Sequence, residues 1–182
     1  FGVKFRGRSD TEVLLEACIR YGVKETAKKI IGMFAFAFWD RSEKVLYLVR
    51  DRLGIKPLYW GRFGDLFLFG SELKALRAHP GWELEVNRDA LAAFMRHNYV
   101  PAPHSIYKGI YKLQPGSILT LKQDNEPVVE PYWEMGAVAE AALKKQFKFD
   151  DQEAIAQLEP LLNDAVSCRM VADVPLGALL SG

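Results

Sequence analysis

An excess of either charge sign is missing from this chain. Its 182 residues carry 24 Lys+Arg against 23 Asp+Glu, a formal net charge of +1. Nothing therefore recommends nucleic acid or an acidic membrane surface as a partner. Long apolar runs are missing too, and none approaches the roughly 20 residues of a membrane span. Cysteine is scarce: Cys18 and Cys168 are the two. Both sit in apolar helical patterns and read as reduced core thiols of a cytosolic protein, which excludes a disulfide scaffold. His104 is the most tempting polar residue in its region, but no His, Cys or carboxylate lies at ligand spacing around it. It reads as a hydrogen-bonded loop residue, and no metal site is legible anywhere in the chain. A signal peptide and an initiating methionine are both absent, which, with the terminal Ser181-Gly182, reads as a fragment.

What is present is apolar. The chain is 49% hydrophobic and 12% aromatic, ample for a packed core without disulfides, and its length allows one domain or one and a fraction. The stretch Gly32 to Tyr59, GMFAFAFWDRSEKVLYLVRDRLGIKPLY, organises the rest. Phe34, Phe36 and Phe38 alternate with Ala35 and Ala37, which puts three rings on one face of a strand and small groups on the other. Both faces are apolar, as in a strand covered on both sides. The polar interruption Asp40 to Lys44 leads to Val45-Leu46-Tyr47-Leu48-Val49, and the pair reads as a hairpin. Arg50-Asp51-Arg52 follows. On physics alone this is a surface loop with solvated charges.

Taken in order, Ser9-Asp10-Thr11-Glu12 reads as a capping box, Ser9 accepting the N3 amide and Glu12 reaching back to the cap. Val13, Leu14, Ala17, Cys18 and Tyr21 recur at helical spacing, and Gly22 can close that helix. Asp10 in the first turn suits the helix dipole. A short helix spans Glu25 to Ile31. Arg62-Phe63-Gly64-Asp65 is a turn into the strand Leu66 to Phe69, and Ser71 caps a helix from Glu72 to about Ala78, stopped by Pro80 and Gly81. Glu72 and Lys74 are either site residues or a charged first turn on a solvated helix. Asn87 or Asp89 starts a helix with Leu91, Phe94 and Met95 inward. The prolines at 101, 103 and 115 and the glycines at 109 and 116 predict an extended path with tight turns. Ile118 to Leu121 and Val128 to Tyr132 are strands. Composition shifts over 134–150, the best linker candidate. Asp150 or Asp151 then caps a helix bearing Ile155, Leu158, Leu162, Ala165 and Val166 on one stripe, with Arg169 in its last turn. Val174 to Leu180 reads as a buried strand.

GMFAFAFWD, RDRLGIKPLYW and FGSELKAL, in that order and spacing, resemble the class II glutamine amidotransferases of the asparagine synthetase branch. DVPLGALLSG resembles the opening of the SGGxDS pyrophosphate loop of ATP pyrophosphatases. The resemblance implies an α+β fold: an incomplete four-layer αββα sandwich of the N-terminal-nucleophile hydrolase type, then the first helix and strand of an α/β ATP-pyrophosphatase domain. It implies a glutaminase part over 1–133, a linker over 134–150 and the start of a synthetase domain over 151–182. It assigns Asp10 to the α-amino group of glutamine, and Leu179, Leu180, Ser181 and Gly182 to ATP. The nucleophilic cysteine, an arginine clamp and an Asn-Gly oxyanion pair are expected upstream of Phe1, so no catalytic residue is expected in this stretch. The parent is expected to be a carbon–nitrogen ligase using ATP and Mg²⁺, while the chain by itself is expected to be inactive and to bind neither tightly. Its partners would be glutamine, ATP and a carboxylate acceptor, aspartate first, with neither nucleic acid nor membrane and with a homodimer left open. The alternatives are a sugar-carboxylate amidotransferase of surface-polysaccharide synthesis and a non-catalytic glutaminase-like scaffold, as in β-lactam synthetases.

Overall fold

Ser9 opens the first helix, α1 (Asp10–Tyr21), by accepting the Thr11 amide on its hydroxyl at 3.2 Å. Glu12 does not reach back to the cap, as a capping box would have it. Its carboxylate instead takes the amides of Arg6 at 2.9 Å and Gly7 at 2.9 Å, which holds it below the usual carboxylate range. Gly22 ends α1 at φ +78° and donates to the Cys18 carbonyl at 2.9 Å. From the same glycine starts α2 (Val23–Lys29), with Val23, Thr26 and Ala27 buried. Replacing Ser9 with alanine is expected to cost about 1 kcal/mol, read as a lowered denaturant midpoint; an unchanged midpoint would show that this cap contributes nothing.

The computed structural model describes residues 2, 4–7, 9–82, 85–123, 125–145 and 150–179. The chain divides into two compact units, 1–135 and 136–182. In the first, two antiparallel sheets are built. One has the order β1 (Ala35–Asp40), β2 (Val45–Arg50), β6 (Ser117–Lys122), β7 (Val128–Pro131); the other has β4 (Leu66–Gly70), β3 (Tyr59–Phe63), β5 (Ile110–Lys112). The β1–β2 register pairs Phe36 with Val49 and Phe38 with Tyr47, and Val49 pairs onward with Ile118. These side chains form one face, packed with Phe34 and Leu14 on Cys18, Val23 and Ala27 of the helix pair. The opposite face carries Ala35, Leu46, Leu48, Leu119 and Leu121, which meet Leu58, Leu113, Trp60 and Phe67 between the sheets. The outer face of the second sheet, with Tyr59, Phe63, Leu68 and Ile110, packs on Leu73 and Leu76 of α3 (Leu73–Arg77) and on Trp82. The packing order within this unit is helix, sheet, sheet, helix.

The phenylalanine alternation thus does what its period requires, but the alanine face is covered only at one end. Ala37 is exposed and Trp39 is 53% exposed. The hairpin turn is held by Asp40, whose carboxylate accepts the Ser42 hydroxyl at 2.7 Å and the Glu43 amide at 3.1 Å.

Several expectations are corrected. On α1, Leu14 and Cys18 face the sheet, while Val13 and Tyr21 are exposed. Arg62 and Phe63, expected in the turn, instead end the strand β3, and the turn is Gly64-Asp65; Gly61 lets β3 and β5 close together, since a Cβ there would stand 2.4 Å from the Gly109 carbonyl oxygen. Glu72 rather than Ser71 occupies the cap of α3, and its side chain makes no capping bond. Asn87 does cap α4 (Arg88–His97), through the amides of Asp89 and Ala90. Its inward residue is Ala90; Leu91, Phe94 and Met95 are exposed.

In the second unit, α5 (Met135–Leu143) reaches into the expected linker stretch and α6 (Asp151–Ser167) follows, capped by Asp150 onto the Glu153 amide at 2.8 Å. Arg169 donates to the Ala165 carbonyl at 2.6 Å, the expected cation at that helix end. The stripe of Ile155, Leu158 and Leu162 is exposed. Cys168 is exposed at the end of α6 and is not a core residue. Residues 174–179 form no strand and lie exposed. A parallel strand takes its hydrogen bonds from neighbours, and no described residue supplies a neighbour here.

Candidate functional site

Asp10 stands at the first position of α1, exposed, with the Ser9 hydroxyl donating to its Oδ1 at 3.4 Å. A carboxylate so placed is favoured by the helix dipole and keeps open acceptor sites for an ammonium group. The helix bearing it rests on the sheet through Leu14 and Cys18. Cys18 itself is no nucleophile: it is 4% exposed, and burial pushes its thiol up from the ordinary value.

The loop after β2 is not a solvated surface. Asp51 is 1% exposed, and its carboxylate accepts the amides of Ile55 at 2.9 Å, Lys56 at 2.9 Å and Phe34 at 3.3 Å. Its own amide donates to the Phe34 carbonyl at 2.9 Å, and its carbonyl accepts from Gly54 at 3.0 Å and Gly116 at 2.9 Å. Arg50, 9% exposed, spreads its guanidinium over three carbonyls: Leu113 at 2.6 Å, Gly54 at 2.6 Å and Lys56 at 2.8 Å. Burial pulls its pKa down, opposed by the Asp51 charge. A planar fork with five donors suits this task, and an ammonium does not. Arg52 continues the clasp by donating to the Lys28 carbonyl at the end of α2, at 2.7 Å. Three successive charged residues thus tie β2 to the α2–β1 connection, the 54–56 turn and the start of β6.

Tyr132 closes the arrangement, its hydroxyl donating to the Arg50 carbonyl at 3.0 Å. Burial pushes its pKa from 10.0 to about 12, with Arg52 opposing. The unfolded phenol ionises first, so this contribution to stability is complete below pH 10 and is lost as pH rises toward about 12. Tyr132→Phe is expected to flatten the loss of stability over that window, read from denaturant midpoints; an unchanged slope would contradict the assignment.

The remaining candidates are dispersed. Glu72 and Lys74 pair with each other at 2.6 Å with their side chains 57% and 82% exposed, a solvated pair and no site. The His104 amide donates to the Pro101 carbonyl at 3.0 Å, and among the described residues no cluster of His, Cys, Asp and Glu could hold a metal. Leu179 is fully exposed outside regular structure. Leu180, Ser181 and Gly182, the rest of the expected ATP contacts, lie outside the described residues.

Residues 1–133 match the model of the glutamine amidotransferase domain. The chain belongs to that family. Residues 157–182 match the asparagine synthase model. Over its full length the chain is 35% identical to asparagine synthetase [glutamine-hydrolyzing] 1 of Bacillus subtilis and 37% identical to asparagine synthetase [glutamine-hydrolyzing] 3 of the same organism. It spans only 27% and 28% of those relatives. Among solved structures, the glutamine phosphoribosylpyrophosphate amidotransferase of B. subtilis aligns with TM-score 0.48 at 24% identity, over 72% of this chain and 24% of that one.

Within this amidotransferase domain, the fold presents Asp10 to solvent on a supported helix. Sequence reasoning missed Arg50 and Asp51. A signal was present: adjacent opposite charges directly after an apolar strand, followed by Gly54 and Pro57, mark a turn that can fold back over its own charges. Gly54 adopts φ +65°, and a Cβ there would stand 3.0 Å from the Arg50 guanidinium carbon and 2.8 Å from Pro115. Only glycine lets the turn close on the arginine.

Proposed function

We propose that this chain is part of a glutamine-dependent asparagine synthetase: residues 1–133 belong to its glutaminase domain, 134–150 to a linker and 151–182 to the start of its synthetase domain. The observation that carries the reading is the open carboxylate of Asp10 at the head of α1, in a chain matching the glutamine amidotransferase domain over 133 residues. Asp10 would hold the α-ammonium of glutamine by a charge-assisted hydrogen bond and leave the side-chain amide free for attack. Hydrolysis releases glutamate and ammonia, and the ammonia then displaces AMP from an aspartyl-adenylate formed with ATP. Adenylation is needed because a carboxylate is a poor electrophile, and Mg²⁺ in the parent would neutralise the departing pyrophosphate. ATP and Mg²⁺ are assigned to the parent enzyme through the match of residues 157–182 to the asparagine synthase model, and the parent's use of amino acids and ATP points to the cytoplasm.

The test is incubation of the full-length gene product with glutamine, aspartate and ATP. Glutamate, asparagine and AMP are expected in equal amounts, and absence of glutamate would overturn the glutaminase reading. Glutamate with an amide product other than asparagine would overturn the acceptor alone. The 182-residue chain by itself is expected to release no glutamate above a protein-free control, because Cys18, the one cysteine of the unit that bears Asp10, is buried.

A further inference from the structure

The connection between α2 and β1, residues 30–34, is anchored at both ends by consecutive residues of one loop. Just before its start, in the last turn of α2, the Lys28 carbonyl accepts from Arg52 at 2.7 Å. At its end, Phe34 is held by Asp51 in both directions, its carbonyl accepting the Asp51 amide at 2.9 Å and its amide donating to the Asp51 carboxylate at 3.3 Å. Asp51 is itself fixed by the amides of Ile55 and Lys56 and is buried to 1%. A carboxylate with that many backbone donors has one position available to it. What it fixes is more than a loop. The Phe34 ring packs on the cluster that contains Cys18, Val23 and Ala27, beside Leu14 of α1. Leu14 lies one turn after Asp10 on the same helix. The seat of α1 is therefore set by Phe34 and α2, and both are set by Asp51 and Arg52.

We infer that Asp51, assisted by Arg52, is a positioning residue for Asp10: it sets where the glutamine-contacting carboxylate stands by fixing the α2–β1 connection on which helix α1 rests. This rests on the assignment of Asp10 to the glutamine ammonium group. Contact geometry at a bound substrate is sensitive to shifts well below the size of a side chain. A displacement of α1 weakens glutamine binding without touching the group that attacks the amide, so the expected signature is a change in KM rather than in kcat.

The experiment uses the full-length enzyme carrying Asp51→Asn, in which one amide donor must confront another. A second variant, Arg52→Ala, leaves the buried carboxylate in place. For Asp51→Asn, KM for glutamine is expected to rise about ten-fold with kcat changed less than about two-fold; Arg52→Ala is expected to move KM in the same direction by about three-fold. A fall in kcat or in folded protein with KM unchanged in Arg52→Ala would reduce the loop to a structural role and overturn the inference. Hydrogen exchange on the 182-residue chain reads the same tether without activity. Arg52→Ala is expected to speed exchange over residues 12–18 as well as 28–34; acceleration confined to 28–34 would overturn it. If Asp10→Asn leaves KM unchanged, the glutamine assignment fails, and the exchange pattern still decides the tether.

Discussion

Asp51→Ala is expected to destabilise the first unit by about 3–5 kcal/mol, among the largest single-residue effects in the chain. The substitution removes the acceptor for the amides of Phe34, Ile55 and Lys56 at once. Each donor left without a partner in the interior costs on the order of 1–3 kcal/mol. It also leaves the buried guanidinium of Arg50 without the opposite charge that supports its ionisation. Relaxation of the 54–56 turn toward water recovers part of this, so the three donors do not add in full. Chemical denaturation of the chain measures the effect. A loss under about 1 kcal/mol would show that water replaces the carboxylate freely and that the clasp is not a structural centre.

The second large effect lies at Gly116, directly before β6. Its amide donates to the Asp51 carbonyl and its carbonyl accepts the amides of Tyr132 at 2.8 Å and Trp133 at 3.1 Å. It adopts φ +63°, and a Cβ would stand 2.3 Å from the Trp133 carbonyl oxygen. Gly116→Ala must therefore displace backbone, not a flexible side-chain end. Gly64 is the internal control: it has nearly the same φ, +58°, but nothing within 4 Å of an added Cβ. Gly64→Ala is expected to cost about 1–2 kcal/mol, the left-handed penalty alone, and Gly116→Ala at least about 2 kcal/mol more, as expected for overpacking against backbone. Equal losses at the two sites would contradict the close approach of the 116 turn to residue 133.

The elements that were legible in the sequence are those whose side-chain period carries its own direction. The alternation of Phe34, Phe36 and Phe38 with alanines places rings on the helix side and Ala35 between the sheets, and Ser9, Asn87 and Asp150 cap the helices that follow them. What was not legible depends on partners far away in the chain. Whether Arg50 and Asp51 are solvated or buried is decided by Leu113 and Gly116, more than 60 residues later, and no local pattern reports that. The three-residue β5 is too short for any periodicity, and β3 is broken in pattern by Gly61, whose reason is the Gly109 carbonyl across the sheet. In α4, amphipathicity gave the right helix and the wrong consequence: Leu91, Phe94 and Met95 lie on one apolar face, but that face is exposed. The strand expected from Val174 onward does not form over the described residues 174–179 for a related reason, since apolar composition marks a segment that can be buried without supplying what buries it. Asp10 is the opposite case: its position at the head of α1 follows from the cap, and only its ligand required the family resemblance.

The most direct test of this account is the kinetics of glutamine use by the full-length enzyme with and without Asp10→Asn, alongside synthesis driven by free ammonia. Loss of a charge-assisted hydrogen bond to the substrate ammonium is worth about 1.5–3 kcal/mol, a rise of about 10- to 150-fold in KM for glutamine. In the proposed scheme ammonia enters after the step assigned to Asp10, so ammonia-driven synthesis should be unaltered. A KM for glutamine that does not move in Asp10→Asn would contradict the placement of the substrate at the head of α1.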